Sequence, residues 1–141
     1  MIVYFDTSAV VPLLVTEPGS VSCRRLWDDA DAVVTTRLLY VEAAAALAQA
    51  LRLRRLTGRE HQSALRMFDQ LWLEFDLVEV DEGLVNRAAR LAHDRALGGY
   101  DAVHCASAEQ IAAADLVVAG GDRKLLEACA QLGLATADVN R

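Results

Sequence analysis

Three short stretches of this chain, 1–5 (MIVYF), 32–34 (AVV) and 116–119 (LVVA), are apolar at every position. A strand with one face in water alternates polar and apolar residues, because successive side chains point to opposite faces; a strand covered on both faces has no reason to alternate. Segments with helical spacing separate the three runs. Short buried strands interleaved with helices predict an α/β fold, an α/β/α sandwich with a central parallel sheet. In such a sheet, ligands bind beyond the C-terminal ends of the strands.

The remaining elements follow from local signals. Asp6-Thr7-Ser8 supplies N-cap residue types for a helix over 9–14, and Pro18-Gly19-Ser20 starts a second helix with Val21, Leu26 and Trp27 on one side. After the strand at 32–34, Thr35 or Thr36 is expected to cap a long alanine-rich helix over 37–54. Thr57-Gly58 separates it from another helix over 59–73, and the two predict a helical hairpin. A weakly alternating strand at 75–80 leads to a helix over 82–96 that Gly98-Gly99 is expected to stop. A helix over 100–114, the strand at 116–119, a Gly120-Gly121 turn, a helix over 122–132 and a last strand at 134–136 complete the order.

With 141 residues, 54% hydrophobic and 24% charged, and no linker or repeat, one domain spanning 1–141 is expected. The N-terminal apolar run is interrupted by Asp6 and Glu17 and lacks a basic first segment, which predicts a cytoplasmic chain with no membrane contact. Cys23, Cys105 and Cys129 form no CxxC pair, and His61, His93 and His104 show no HExxH spacing. Thiolate and imidazole metal sites are therefore not expected, and the cysteines read as small buried residues. A net charge of −6 argues against an extended nucleic-acid surface, so any such contact must be local.

What the apolar pattern does not explain is its acids. Asp6 directly follows the first strand, inside an apolar run where an unpaired carboxylate would cost several kcal/mol. Asp101 and Asp122 each open a helix after two glycines, and taken singly they read as N-caps. Glu42 has Leu38, Leu39, Ala45 and Ala46 as helical neighbours, so it is expected to point toward the core side, with an arginine as the structural alternative for a partner. The topology places Asp6 and Asp122 at the same sheet edge. Four carboxylates there would repel at roughly 4 kcal/mol per close pair for an effective dielectric near 20, and a divalent cation reverses that sign. Oxygen-only ligands select a hard ion, Mg²⁺ with Mn²⁺ as substitute, and such a site suits phosphodiester hydrolysis.

Four segments, FDTSAVVPLLVTEPGS, TTRLLYVEAAAAL, LGGYDAVHCASA and VVAGGDRKLLEACAQLGL, carry a resemblance that spans the whole chain. In their order and spacing the sequence resembles a PIN-domain ribonuclease, specifically a VapC-type toxin of a bacterial toxin–antitoxin pair. The resemblance implies a Mg²⁺-dependent endoribonuclease that cuts structured or single-stranded RNA, leaving a 3′-hydroxyl and a 5′-phosphate. It carries the four acidic positions onto Asp6, Glu42, Asp101 and Asp122. Asp6 and Asp101 are then direct ligands of a first ion, and Glu42 and Asp122 position a second ion or the attacking water. Thr7 and Ser8 match the hydroxyl residues after the first aspartate, with ligand orientation and helix capping both open. The implied partners are RNA, a VapB-like antitoxin whose tail fills the acidic groove, and a second copy in a homodimer.

Three residue groups stay open at this level. His104, one helical turn after Asp101, can face the pocket or serve the core. Arg52, Arg54, Arg55 and Arg59 cluster at the tip of the helical hairpin, where they either meet RNA or form a solvated turn. Trp27, Trp72 and Phe75 occupy apolar positions and read as core or interface residues. A phosphoacceptor receiver domain fits less well, because it needs an early acidic pair where this chain has Asp6 alone. A dehalogenase-type phosphotransferase needs a second aspartate where Ser8 stands. The standing alternative is a catalytically inactive PIN-like module that binds RNA or protein, which metal-dependent cleavage separates from an enzyme.

Overall fold

A computed structural model describes residues 1–111 and 113–141. The chain runs β1 (Ile2–Phe5), α1 (Thr7–Leu14), α2 (Ser20–Asp29), β2 (Ala32–Thr36), α3 (Leu39–Arg52), α4 (Gly58–Trp72) and β3 (Asp76–Val78). It continues with α5 (Glu82–Arg95), α6 (Gly99–Ile111), β4 (Leu116–Gly120), α7 (Arg123–Gln131) and β5 (Ala135–Asp138). The five strands form one sheet in the order β3-β2-β1-β4-β5, every pair parallel. Ile2 is level with Ala32 on one side and Leu116 on the other, so the three apolar runs are the three central strands.

Burial on both faces explains the missing alternation. Tyr4, Val34 and Val118 pack into the layer made by α5, α6 and α7, beside Leu84, Leu91, Cys105 and Leu125. Val3, Phe5 and Val33 face the opposite layer, beside Val10 and Leu13 of α1, Cys23 of α2, Leu39 of α3 and Phe68 of α4. Consecutive residues of one strand thus serve two cores, as the pleat requires. Trp27 and Trp72 join Phe5 and Phe75 in a chain of edge and tilted aromatic contacts in the second layer, with ring centroids 5.3–6.0 Å apart, which is the expected core role. Helices α3 and α4 pack together as the expected hairpin, and Thr57 opens α4 with a reciprocal capping box to Glu60. The three cysteines are buried and free.

Several local expectations need correction. The stop of α5 is Ala96, in the left-handed region at φ 53°, where its N–H reaches Ala92 O; Gly99 instead begins α6. A glycine pair marks flexibility, but the chain turns where the helix's last carbonyls are satisfied. Asp101 is consequently no N-cap: it stands inside the first turn of α6. Neither Thr35 nor Thr36 caps α3; Thr35 donates to Phe5 O across the sheet (2.7 Å), and Thr36 Oγ1 accepts from Leu38 N in the turn before the helix (3.4 Å). Because α3 starts at Leu39 rather than at 37, Glu42 lies in its first turn. Strand β3 is shorter than the expected 75–80, and the expected continuation of α6 toward 114 crosses Ala112, which lies outside the described residues. Among the described residues no helix is long and apolar enough to cross a membrane.

Candidate active site

The C-terminal ends of β1 and β4 meet the first turns of α1, α6 and α7, and a cleft of about 420 Å³ opens there. Asp6, Thr7, Ser8, Glu42, Asp101, His104 and Asp122 line it, together with Glu17, Gly121 and Asn140. All four acids selected from the sequence are therefore on one wall system, although they are separated by up to 116 positions in the chain.

Asp6 is 3% exposed. Its Oδ1 accepts from Ser8 Oγ (2.5 Å) and from Ala9 N (3.2 Å), so it does cap α1. Its Oδ2 takes part in neither bond and lies against Gly120: a Cβ there would stand 2.5 Å from it. Gly120 is thus required by the carboxylate beside it, whereas a Cβ at Gly121 would meet only the tip of the Asn140 side chain, 2.7 Å from its Nδ2. Ser8 serves twice, donating to Asp6 and accepting from Gly121 N–H (2.7 Å), which ties the end of β1 to the turn after β4.

Asp122 caps α7 through Oδ1 alone, which accepts from Lys124 N (3.0 Å) and Leu125 N (3.2 Å). Capping and ligation are not exclusive roles for these aspartates, since each cap uses one oxygen of two. Among the described residues Glu42 meets no arginine. Its Oε1 accepts from Thr7 Oγ1 (3.0 Å) and from the Nε2 side of His104 (2.7 Å). The expectation of a core-facing Glu42 is met only in part, since its side chain keeps 15% exposure toward the cleft.

The electrostatics of the cleft report crowding. Burial pushes the Asp6 carboxyl above the usual carboxylate range, against the opposing hydrogen bonds from the Ser8 hydroxyl and the Ala9 N–H. Asp101 is pushed up to about 6, first by burial, then by the neighbouring Asp122 carboxylate, with Asp6 adding to it. A buried carboxyl and a second one raised by the like charge beside it form a site short of a cation. In donor chemistry the residues fit a hard divalent ion, for every carboxylate offers oxygen and no thiolate is present. They do not close into a cage: among the described residues no three His, Cys, Asp or Glu side chains surround a common point. Glu42 is held on His104 and Thr7, and Asp122 on its helix, so an ion here would keep several waters, as Mg²⁺ does.

The PIN domain family matches residues 3–131. The chain belongs to that family. Two Mycobacterium tuberculosis proteins, Ribonuclease VapC45 and Ribonuclease VapC49, are each 45% identical over 124 residues, covering 88% of this chain and 86% of theirs. Among solved structures, the sarcin-ricin loop cleaving toxin VapC20 of M. tuberculosis aligns with a TM-score of 0.69 at 19% identity, over 89% of this chain and 94% of that one. The DNA-bound VapBC of Salmonella typhimurium gives a TM-score of 0.69 at 12% identity, over 99% and 98% of the two chains. Both likenesses establish the shared PIN fold.

Sequence reasoning missed Asn140 and undervalued Glu17. Asn140 reaches the cleft because β5 lies beside β4, which lets its Nδ2 donate to Gly121 O (3.3 Å). No motif signals it, because a polar residue nine positions past a helix carries no period. The hairpin-tip arginines do not enter the cleft. Arg55 and Arg59 line a neighbouring groove of about 990 Å³ between α1, α3 and α4, which shares Val11, Glu17 and Ala46 with the cleft.

Proposed function

We propose that this PIN domain, as one domain spanning 1–141, is a metal-dependent endoribonuclease acting in the cytoplasm as the toxin of a VapBC-type pair. The observation that carries the reading is the convergence of Asp6, Asp101, Asp122 and Glu42 at one sheet edge, with Asp101 pushed up to about 6 by burial and then by the neighbouring Asp122 carboxylate. The kinship with Ribonuclease VapC45 and VapC49 supports RNA as the substrate. PIN-domain ribonucleases in general use divalent ions, and the oxygen-only donors here favour Mg²⁺, with Mn²⁺ as substitute.

Asp6 and Asp101 would hold the first ion, and Asp122 and Glu42 would place a second ion or the attacking water. When bound, the ion supplies a more acidic water and a counter-charge for the phosphate. Ser8 keeps Asp6 in one rotamer and leaves Oδ2 uncommitted, while Thr7 and His104 hold Glu42 at the cleft. The carboxylates also repel phosphate, so the metal-free cleft disfavours its own substrate. Water attack in line on phosphorus leaves a 3′-hydroxyl on one fragment and a 5′-phosphate on the other.

A VapB-like antitoxin is the proposed protein partner, supported by the likeness to the Salmonella VapBC structure and by the apolar groove that runs into the cleft. A homodimer of the toxin completes the reading, and light scattering on the purified chain decides it. The functional test is cleavage of total RNA by nuclease-free preparations. EDTA should stop cleavage, Mg²⁺ or Mn²⁺ should restore it, and Asp101→Asn should remove it; full cleavage in excess EDTA would overturn the metal-dependent reading.

A further inference from the structure

His104 is 2% exposed, yet both ring nitrogens have polar partners. Nδ1 lies 2.8 Å from the hydroxyl of Tyr4, a fully buried residue of the central strand, and Nε2 lies 2.7 Å from Glu42 Oε1. The same Oε1 accepts from Thr7 Oγ1 at 3.0 Å, which leaves Oε2 outside both bonds. The His104–Glu42 bond also joins α6 to α3, helices that belong to opposite layers of the sandwich.

A carboxylate oxygen only accepts, so the proton between His104 and Glu42 sits on Nε2. In the neutral ring Nδ1 is then an acceptor, and the Tyr4 hydroxyl is its donor. The result is a chain with one direction, Tyr4 O–H to Nδ1 and Nε2–H to Glu42, fixed at its inner end by the core. A histidine kept for packing needs no such orientation.

We infer that His104 is a positioning residue, which holds the Glu42 carboxylate at the mouth of the cleft through Nε2–H while Tyr4 fixes its tautomer. What Glu42 then does to substrate rests on the proposed nuclease reading; the orientation of the pair does not. Orienting partners of this kind are worth about 10- to 100-fold in activity or metal affinity.

Two amides separate positioning from packing. A glutamine at 104 places its amide nitrogen where Nε2 stands, and an asparagine places its own where Nδ1 stands. With single-stranded RNA and Mg²⁺, His104→Asn should lower kcat about 10- to 100-fold with KM close to wild type, while His104→Gln keeps most of kcat. Mn²⁺ affinity measured without RNA should follow the same order. Ring-nitrogen NMR of the metal-free wild type should show His104 protonated at Nε2, with the attached proton moving upfield in Glu42→Gln and the tautomer becoming mixed in Tyr4→Phe. An Nδ1-protonated ring, or equal losses in the two amide variants, overturns the inference. If the wild type cuts no RNA, the nuclease reading fails, and the NMR result still decides the positioning role, because it needs neither substrate nor a folded His104 variant.

Discussion

Asp6 is bound on one oxygen and crowded on the other. Ser8 and Ala9 hold Oδ1, Gly120 makes room for Oδ2, and burial opposes the charge. Asp6→Asn keeps the shape and the acceptor while removing the charge. In EDTA its melting temperature should therefore rise, by an amount worth about 1 kcal/mol after screening. Millimolar Mg²⁺ should raise the melting temperature of wild type but not of this variant, and cleavage should fall by orders of magnitude. Thermal melts of both proteins with and without Mg²⁺ check this, and an asparagine variant no more stable in EDTA would return Asp6 to a capping role. Asp101 adds a pH dependence. Its folded pKa of about 6 lies above the ordinary 3.8, so the fold penalises its ionised form: the penalty is absent below about 3.8 and complete above about 6. Metal-free protein should gain stability as pH falls from 7 to 5, by about 1 kcal/mol once the half-exposed position is allowed for. Asp101→Asn should remove that part of the gain, which denaturant melts at the two pH values measure.

Element ends carry costs that local sequence hides. Ala96 holds the left-handed conformation at the end of α5 with a side chain that disfavours it, and Arg54 does the same between α3 and α4 at φ 57°. Ala96→Gly should stabilise the protein by roughly 0.5–1 kcal/mol, since the relief of left-handed strain outweighs the extra freedom of the unfolded chain. Urea melts read the difference, and a loss of stability would mean that the Ala96 methyl contributes packing. The expectation of Gly98-Gly99 as the stop failed for a related reason: glycine permits a turn, but here it is the left-handed backbone at Ala96, closed by the Leu97 N–H on Ala92 O, that ends the helix. Strand positions were easier to read. IVYF, AVV and LVVA have no helical period and no polar face, so only a doubly covered strand accommodates them.

At the scale of the whole molecule, charge is divided by location. A chain of net charge −6 gathers acids at the sheet edge, while Arg52, Arg54, Arg55 and Arg59 stand near the hairpin tip. If that tip meets the phosphates of an RNA lying across the groove, Arg54→Ala and Arg55→Ala should weaken RNA binding. Each should also reduce the slope of log K against log salt by about 0.7. Fluorescence anisotropy from low to moderate salt measures the slope, and an unchanged value leaves these arginines as a solvated turn. The sequence alone determined the layered parallel fold, because uninterrupted apolar strands can be satisfied in few other ways. It also placed Asp6 and Asp122 at one edge, because both follow central strands, while Glu42 and Asp101 joined them through the resemblance to PIN-domain ribonucleases. The partners of those acids were decided only in three dimensions. His104 and Glu42 are 62 positions apart, and Asn140 and Gly121 are 19 apart. Hydrogen-bond geometry between such residues depends on how two helix layers and two strands settle against each other, and no spacing rule along a chain encodes that.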